Sequence, residues 1–216
     1  MGHLHEDPPH TQREPMIDRL RYYLAILNLI VIPSGVLFWF LIHPWARLWR
    51  RLGLIRTYLI VVTVSVALGA LLFRFRGALL GKDLGTNRSL VAIALLLYGV
   101  MTWLQLQYRK HLSVKMMMGI PELSPTGHKS SRLLQEGIYG VVRHPRYLSA
   151  GLGVLASLLI SNYAGPYILM LCLVPAGYLM IVMEERELIE RFGEEYRKYQ
   201  RKVPAFIPRW RKTSSE

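Results

Sequence analysis

Three apolar stretches of about twenty residues each dominate the chain: Tyr22 to His43, Leu54 to Phe73 and Ser89 to Tyr108. A helix of that length, rising 1.5 Å per residue, crosses the roughly 30 Å hydrocarbon core of a bilayer. Their central parts hold no acid or base, so each is predicted to span a membrane. Hydrophobic residues make up 52% of the 216, a proportion that suits a bilayer as solvent. Asn28 and the Pro33-Ser34-Gly35 group are expected at most to loosen the first helix, because freed backbone groups find partners within a bundle.

Two later apolar runs are shorter, Tyr147 to Ile160 and Tyr167 to Met183, and are joined by the uncharged turn sequence Ser161-Asn162-Tyr163-Ala164-Gly165-Pro166. They read as a tight helical hairpin. Gly151, Gly153, Ala156 and Ser157 would let its arms, or a neighbour, approach closely. The fold class expected is therefore an all-α integral-membrane protein of about five transmembrane helices.

Four regions follow: a flexible tail over 1–21, three membrane helices over 22–110, the hairpin region over 111–208, and a basic tail over 209–216. Past Glu184 the residues Leu188, Phe192, Tyr196 and Tyr199 recur at helical steps among charges, which predicts an amphipathic helix packed back on the domain. Trp210 and its basic neighbours suit an anionic membrane surface or serve only solubility.

The net charge of +13 does not point to nucleic acid, since most Lys and Arg lie between apolar runs. Arg143 and Arg146 precede the hairpin and Arg186, Arg191, Arg197, Lys198, Arg201 and Lys202 follow it, which predicts a cytoplasmic C-terminus. Five crossings then put the N-terminal tail outside, together with the loop carrying Arg74, Arg76, Lys82 and Arg88, in conflict with the positive-inside rule. Cys172, the single cysteine, allows neither an intrachain disulfide nor a multi-cysteine metal site. His3, His5 and His10 read as a solvated tail rather than metal ligands, and no metal is expected.

Candidate chemistry lies at the ends of the hairpin. Pro145 falls at the first position of a helix, with His144 as its N-cap. This corner, beside Arg143, suits a carboxylate or phosphate; anchoring at the interface by Arg143, Arg146 and Tyr147 explains the same residues. Glu184 and Glu185 end the fifth run, where paired carboxylates need water, a cation or hydrogen-bond donors. A solvated helix exit with pairs such as Glu187 to Arg191 is the alternative. A short turn sets the far ends of the hairpin side by side, so both clusters are expected on one cytoplasmic rim.

The ordered set Gly137-x-Tyr139-x-x-x-Arg143-His144-Pro145-x-Tyr147, Glu184-Glu185, Phe192-Gly193-Glu194-Glu195-Tyr196-x-x-Tyr199 and Val203-Pro204 resembles the isoprenylcysteine carboxyl methyltransferase and phospholipid methyltransferase superfamily of membrane enzymes. The resemblance covers roughly residues 131–208. It implies S-adenosylmethionine as cofactor, bound by Leu133, Leu134, Tyr139, Arg143, His144, Pro145, Tyr147, Glu184 and Glu185. It also implies methyl transfer to a lipophilic acceptor held in the bilayer: a phospholipid amine, a small thiol or a prenylcysteine carboxylate. His144, Glu185 and Tyr147 are candidate bases for an acceptor that must lose a proton; His144 can equally serve only to bond the cofactor.

The isoprenylcysteine enzymes place an arginine four residues before the cofactor-binding glutamate. This chain has Met180 there, an apolar candidate substrate contact that cannot pair with a carboxylate. The resemblance places such an enzyme in a bacterial inner membrane or the endoplasmic reticulum. The reading from another class, a small transporter or assembly partner that shares the fold, would favour ionisable groups at mid-membrane, and the five runs offer none.

Overall fold

The computed structural model describes residues 16–42, 45–110 and 133–208. In order, these form α1 (Met16–Ile42), α2 (Ala46–Leu52), α3 (Leu54–Arg74), α4 (Arg76–Leu80), α5 (Arg88–Arg109), a 3-10 turn (Gly137–Gly140), α6 (Pro145–Ser161), α7 (Ala164–Phe192) and α8 (Glu194–Lys202). Among the described residues four helices, α1, α3, α5 and α7, are long and apolar enough to cross a membrane, and α6 is a shorter apolar helix. The all-α membrane architecture is thus as expected, with four helices of spanning length and a shorter apolar one where about five crossings are predicted. The N-terminal histidines and the basic tail lie outside the described residues.

Several boundaries differ from those read in the sequence. Helix α1 begins at Met16 rather than at Tyr22, because Arg21 is buried and paired rather than solvated. It continues through Pro33 as one helix. Asn28 does more than loosen it: its side-chain amide donates to Ser161 Oγ at 3.3 Å, and its Oδ1 accepts from Ser157 Oγ at 2.7 Å, tying α1 to α6. The short helix α2 had no periodic signal. Trp49 fixes it by donating Nε1–H to the Leu41 carbonyl at 2.6 Å and packing with Ile42 and Val61.

The hairpin connection is tighter than its sequence suggested, since only Asn162, left-handed at φ 52°, and Tyr163 separate α6 from α7. The six-residue turn therefore shrinks to two, and Pro166 enters the first turn of α7, where its missing N–H costs nothing. The tip docks on the loop before α5: Leu84 N–H donates to the Asn162 carbonyl at 3.0 Å and Ala164 N–H to the Lys82 carbonyl at 3.0 Å. Arg21 reaches Asp83 in the same loop. The start of α1, the 75–87 connection and the hairpin tip therefore share one side of the bundle.

Away from that tip, α6 packs along α5 and α1, and α7 along α1. The small residues of α6 serve these neighbours: a Cβ on Gly153 would lie 2.6 Å from Met101 Sδ, and Ser149 Oγ donates to the Met101 carbonyl at 3.3 Å. At the opposite end from the tip, Leu104 and Tyr108 of α5 join Ile138, Tyr139 and Val142 in a core that seats the segment leading into α6. The amphipathic segment expected after Glu184 is interrupted at Gly193, whose φ of +57° turns α8 off the end of α7. Tyr196, Tyr199 and Val203 then bury against Leu133.

Candidate active site

The site is assembled at the end of the bundle away from the hairpin tip. Gly137, at φ +60°, opens a tight turn, and Pro145 starts α6 with a fixed φ and no N–H to leave unpaired. His144 is the N-cap, yet its side chain does not cap the helix. The backbone N–H groups of Arg143 and His144 instead donate to the carbonyls of Pro204 (2.9 Å) and Ala205 (3.1 Å). A strap just past α8 is thus laid across the Arg143-His144-Pro145 corner.

The Arg143 guanidinium is fully engaged within the chain. Its Nε and Nη2 reach Glu185 Oε1 at 2.9 and 2.8 Å, and Nη1 donates to the carbonyls of Gln200, at 3.1 Å, and Val203. His144 Nε2 lies 2.9 Å from the same oxygen of Glu185, and Gln200 donates to Glu185 Oε2 at 3.0 Å. Both oxygens of Glu185 are therefore taken, and with the Arg143 and His144 N–H groups spent on the strap, the corner is less open to an anion than its sequence suggested.

The neighbouring carboxylate differs. Among the described residues Glu184 Oε2 is buried without a hydrogen-bond partner, the arrangement expected of an acceptor held ready for a donor from a ligand. Tyr147, one turn into α6, is in hydrogen-bond contact with Glu184 and with Trp39 of α1. Met180 is buried one helical turn before Glu184 on α7, so the two share a face.

Tyr139 sits close enough to feel Glu184 and Arg146. Burial pushes its hydroxyl well above the usual phenol range, Arg146 pulls it down and Glu184 pushes it further up. Its carbonyl accepts from Tyr199 OH at 2.6 Å. Burial likewise raises Tyr199, to about 12, with Arg143 lowering it and Glu185 adding to the rise. Leu133 and Leu134 diverge: Leu133 packs under Tyr196 and Tyr199, and Leu134 against the core around Tyr139.

The structure thus brings Tyr139, Arg143, His144, Pro145, Tyr147, Glu184 and Glu185 to one rim. Trp39, Gln200 and the strap carbonyls were not singled out in the sequence. Trp39 is one aromatic in an apolar run, and backbone carbonyls carry no residue-type signal. Tyr196 and Tyr199 did show, through their helical spacing.

Residues 89–195, from the first turn of α5 into α8, match the phospholipid methyltransferase family. They contain the whole Arg143-His144-Pro145 corner and the glutamate pair. Over these residues, just under half of the chain, the protein is similar to the phospholipid methyltransferase superfamily. The chain is 34% identical over 82 residues to the protein-S-isoprenylcysteine O-methyltransferase of Schizosaccharomyces pombe, covering 38% of this chain and 35% of that protein. It is also 35% identical over 82 residues to methanethiol S-methyltransferase 1 of Bradyrhizobium diazoefficiens, covering 35% of this chain and 26% of the relative. The similarity thus spans about a third or less of these relatives. No solved structure matches.

Proposed function

We propose that this protein is an S-adenosylmethionine-dependent methyltransferase acting on a lipophilic acceptor in the membrane. The observation that carries the reading is Glu184 Oε2, inside the family-matched segment, a buried acceptor without a partner among the described residues. An S-adenosyl group bears hydroxyl and ammonium donors that suit such an oxygen. The chemistry it supplies when bound is an electrophilic methyl on a sulfonium.

Glu184, Tyr147, Tyr139, His144, Pro145 and the leucines 133 and 134 are the proposed cofactor contacts, with Arg143 and Glu185 holding the corner in shape. Because the transfer is a direct displacement, the protein contributes alignment and exclusion of water rather than a covalent nucleophile. Glu185 is too heavily bonded to serve as base, which leaves His144 ahead of Tyr147.

The acceptor proposed is an amine-bearing phospholipid or a small thiol before a prenylcysteine carboxylate, since Met180 offers a carboxylate no partner and Arg143 is already committed. The site and C-terminus are proposed to face the cytoplasm, in a bacterial inner membrane or the endoplasmic reticulum. Basic residues from Arg143 to Lys202 outnumber Arg74, Arg76, Lys82 and Arg88 on the opposite side.

The test is calorimetry with S-adenosylhomocysteine together with transfer of labelled methyl into lipid, protein or volatile thiol fractions. Strong binding that collapses in Glu184→Ala, with the fold intact, is expected. Unchanged affinity in that variant, or no label in any fraction, overturns the proposal.

A further inference from the structure

The strap past α8 and the first turn of α6 together hold His144. Its backbone N–H is bonded to Ala205, its carbonyl accepts from Leu148 N–H at 3.0 Å, and its ring lies between Tyr147 (centroids 5.7 Å apart) and Phe206 (5.9 Å). The side chain is only 4% exposed. A carboxylate that shares its oxygen with a guanidinium is ionised and can only accept, so the imidazole nitrogen facing Glu185 must carry the hydrogen. In the neutral ring, Nδ1 then holds the lone pair, which does not cap α6.

We infer that Phe206 and the strap carbonyls are positioning residues of the methyl transfer: with Glu185 they fix His144 as the Nε2–H tautomer and leave Nδ1 to receive the acceptor's proton. The inference rests on the methyltransferase reading of the site. As the acceptor's lone pair closes the bond to the methyl carbon, the carbon–sulfur bond breaks with its electrons kept by sulfur. The acceptor's N–H or S–H proton passes to Nδ1, and the resulting imidazolium is stabilised by Glu185 across the bond it already makes. Phe206 and the strap carbonyls lie beyond residue 195, where the family match ends, and of the strap only Val203 and Pro204 belong to the motif set of the resemblance.

Nitrogen-15 NMR of histidine-labelled protein, with the His144 signals assigned by difference against His144→Asn, reads the tautomer without cofactor or acceptor. The wild type is expected to show Nε2–H and Glu185→Gln a changed ratio. In kinetics, Phe206→Ala is expected to lower kcat about tenfold to a hundredfold while KM and the affinity for S-adenosylhomocysteine stay within about twofold, because a ring shifted by about an ångström loses its reacting geometry and not its binding contacts. Phe206→Tyr is expected to restore kcat. If the wild type transfers methyl but His144 is the Nδ1–H tautomer, or Phe206→Ala keeps full kcat, the inference fails. A wild type that shows the Nε2–H tautomer yet transfers no methyl fails the enzymatic reading instead and leaves the tautomer assignment standing.

Discussion

His144 Nε2 and Glu185 Oε1 meet at 2.9 Å across 41 positions of chain, from the start of one hairpin arm to the end of the other. The same oxygen binds Arg143, and the two side chains of that ion pair are only 12% and 19% exposed. Glu185→Ala would strand a half-dry guanidinium and is expected to cost on the order of 3 kcal/mol. Glu184→Ala removes one oxygen without a partner among the described residues together with the contact to Tyr147, and is expected to cost only about 1 kcal/mol. Thermal unfolding of both variants in detergent checks the contrast; equal losses would mean the adjacent glutamates share one structural role.

The buried tyrosines predict a loss of stability in alkali. Tyr199 has an unperturbed value of 10.0 and is raised to about 12 in the folded protein by burial, and Tyr139 and Tyr196 are raised as well. A group whose folded value is raised favours the fold below its unfolded value and loses that contribution as pH rises through the folded one. Melting temperature should therefore fall between about pH 10 and pH 12. The fall should be shallower in Tyr199→Phe, which itself loses about 1 kcal/mol at neutral pH with its bond to the Tyr139 carbonyl. A flat profile in the wild type would contradict the burial of these rings.

Length and polarity made the membrane helices legible, because a bilayer permits few ways to satisfy twenty apolar residues. The Pro145 helix start and the pairing of its corner with Glu184-Glu185 were legible for a related reason, since a short turn forces the far ends of two helices together. Signals carried by backbone geometry were not legible. The left-handed Asn162 that shortens the turn, the positive φ of Gly193 that turns α8 aside, and the strap carbonyls that bind Arg143 and His144 depend on dihedrals and carbonyl directions. The start of α1 was misplaced because Arg21, a charge at a helix end, reads as solvent-facing until Asp83 is seen beside it.

Gly165 tests the docking of the hairpin tip. A Cβ there would lie 1.7 Å from the Leu79 carbonyl oxygen, a backbone atom that cannot move aside alone. Gly165→Ala is expected to displace the tip from α4 and to cost more than about 3 kcal/mol. Gly151→Ala, on a helix face where a Cβ meets nothing within 4 Å, should be neutral or stabilise by up to about 1 kcal/mol. Comparable melting temperatures for the two variants would refute the close approach.

The Arg21 and Asp83 pair should respond unequally to loss of its two partners. The Arg21 side chain is 4% exposed and that of Asp83 42% exposed, and Asp18 bonds Arg21 at 3.1 Å. Asp83→Asn leaves a buried guanidinium with one carboxylate and is expected to cost about 1–2 kcal/mol, discounted for the exposure of Asp83. Arg21→Met replaces a buried ion by an apolar chain and leaves Asp83 in contact with water, so it should be close to neutral. Although burial pushes the Asp83 carboxyl up, the Gly85 N–H and Arg21 outweigh it and hold it below its ordinary value of 3.8. A group lowered in this way stabilises the fold above its unfolded value and loses that contribution as pH falls through the folded one. The gap in melting temperature between wild type and Asp83→Asn should accordingly be full at pH 6 and narrow below about pH 4. A gap that fails to narrow on acidification would mean that Asp83 does not stabilise the loop through its charge on Arg21.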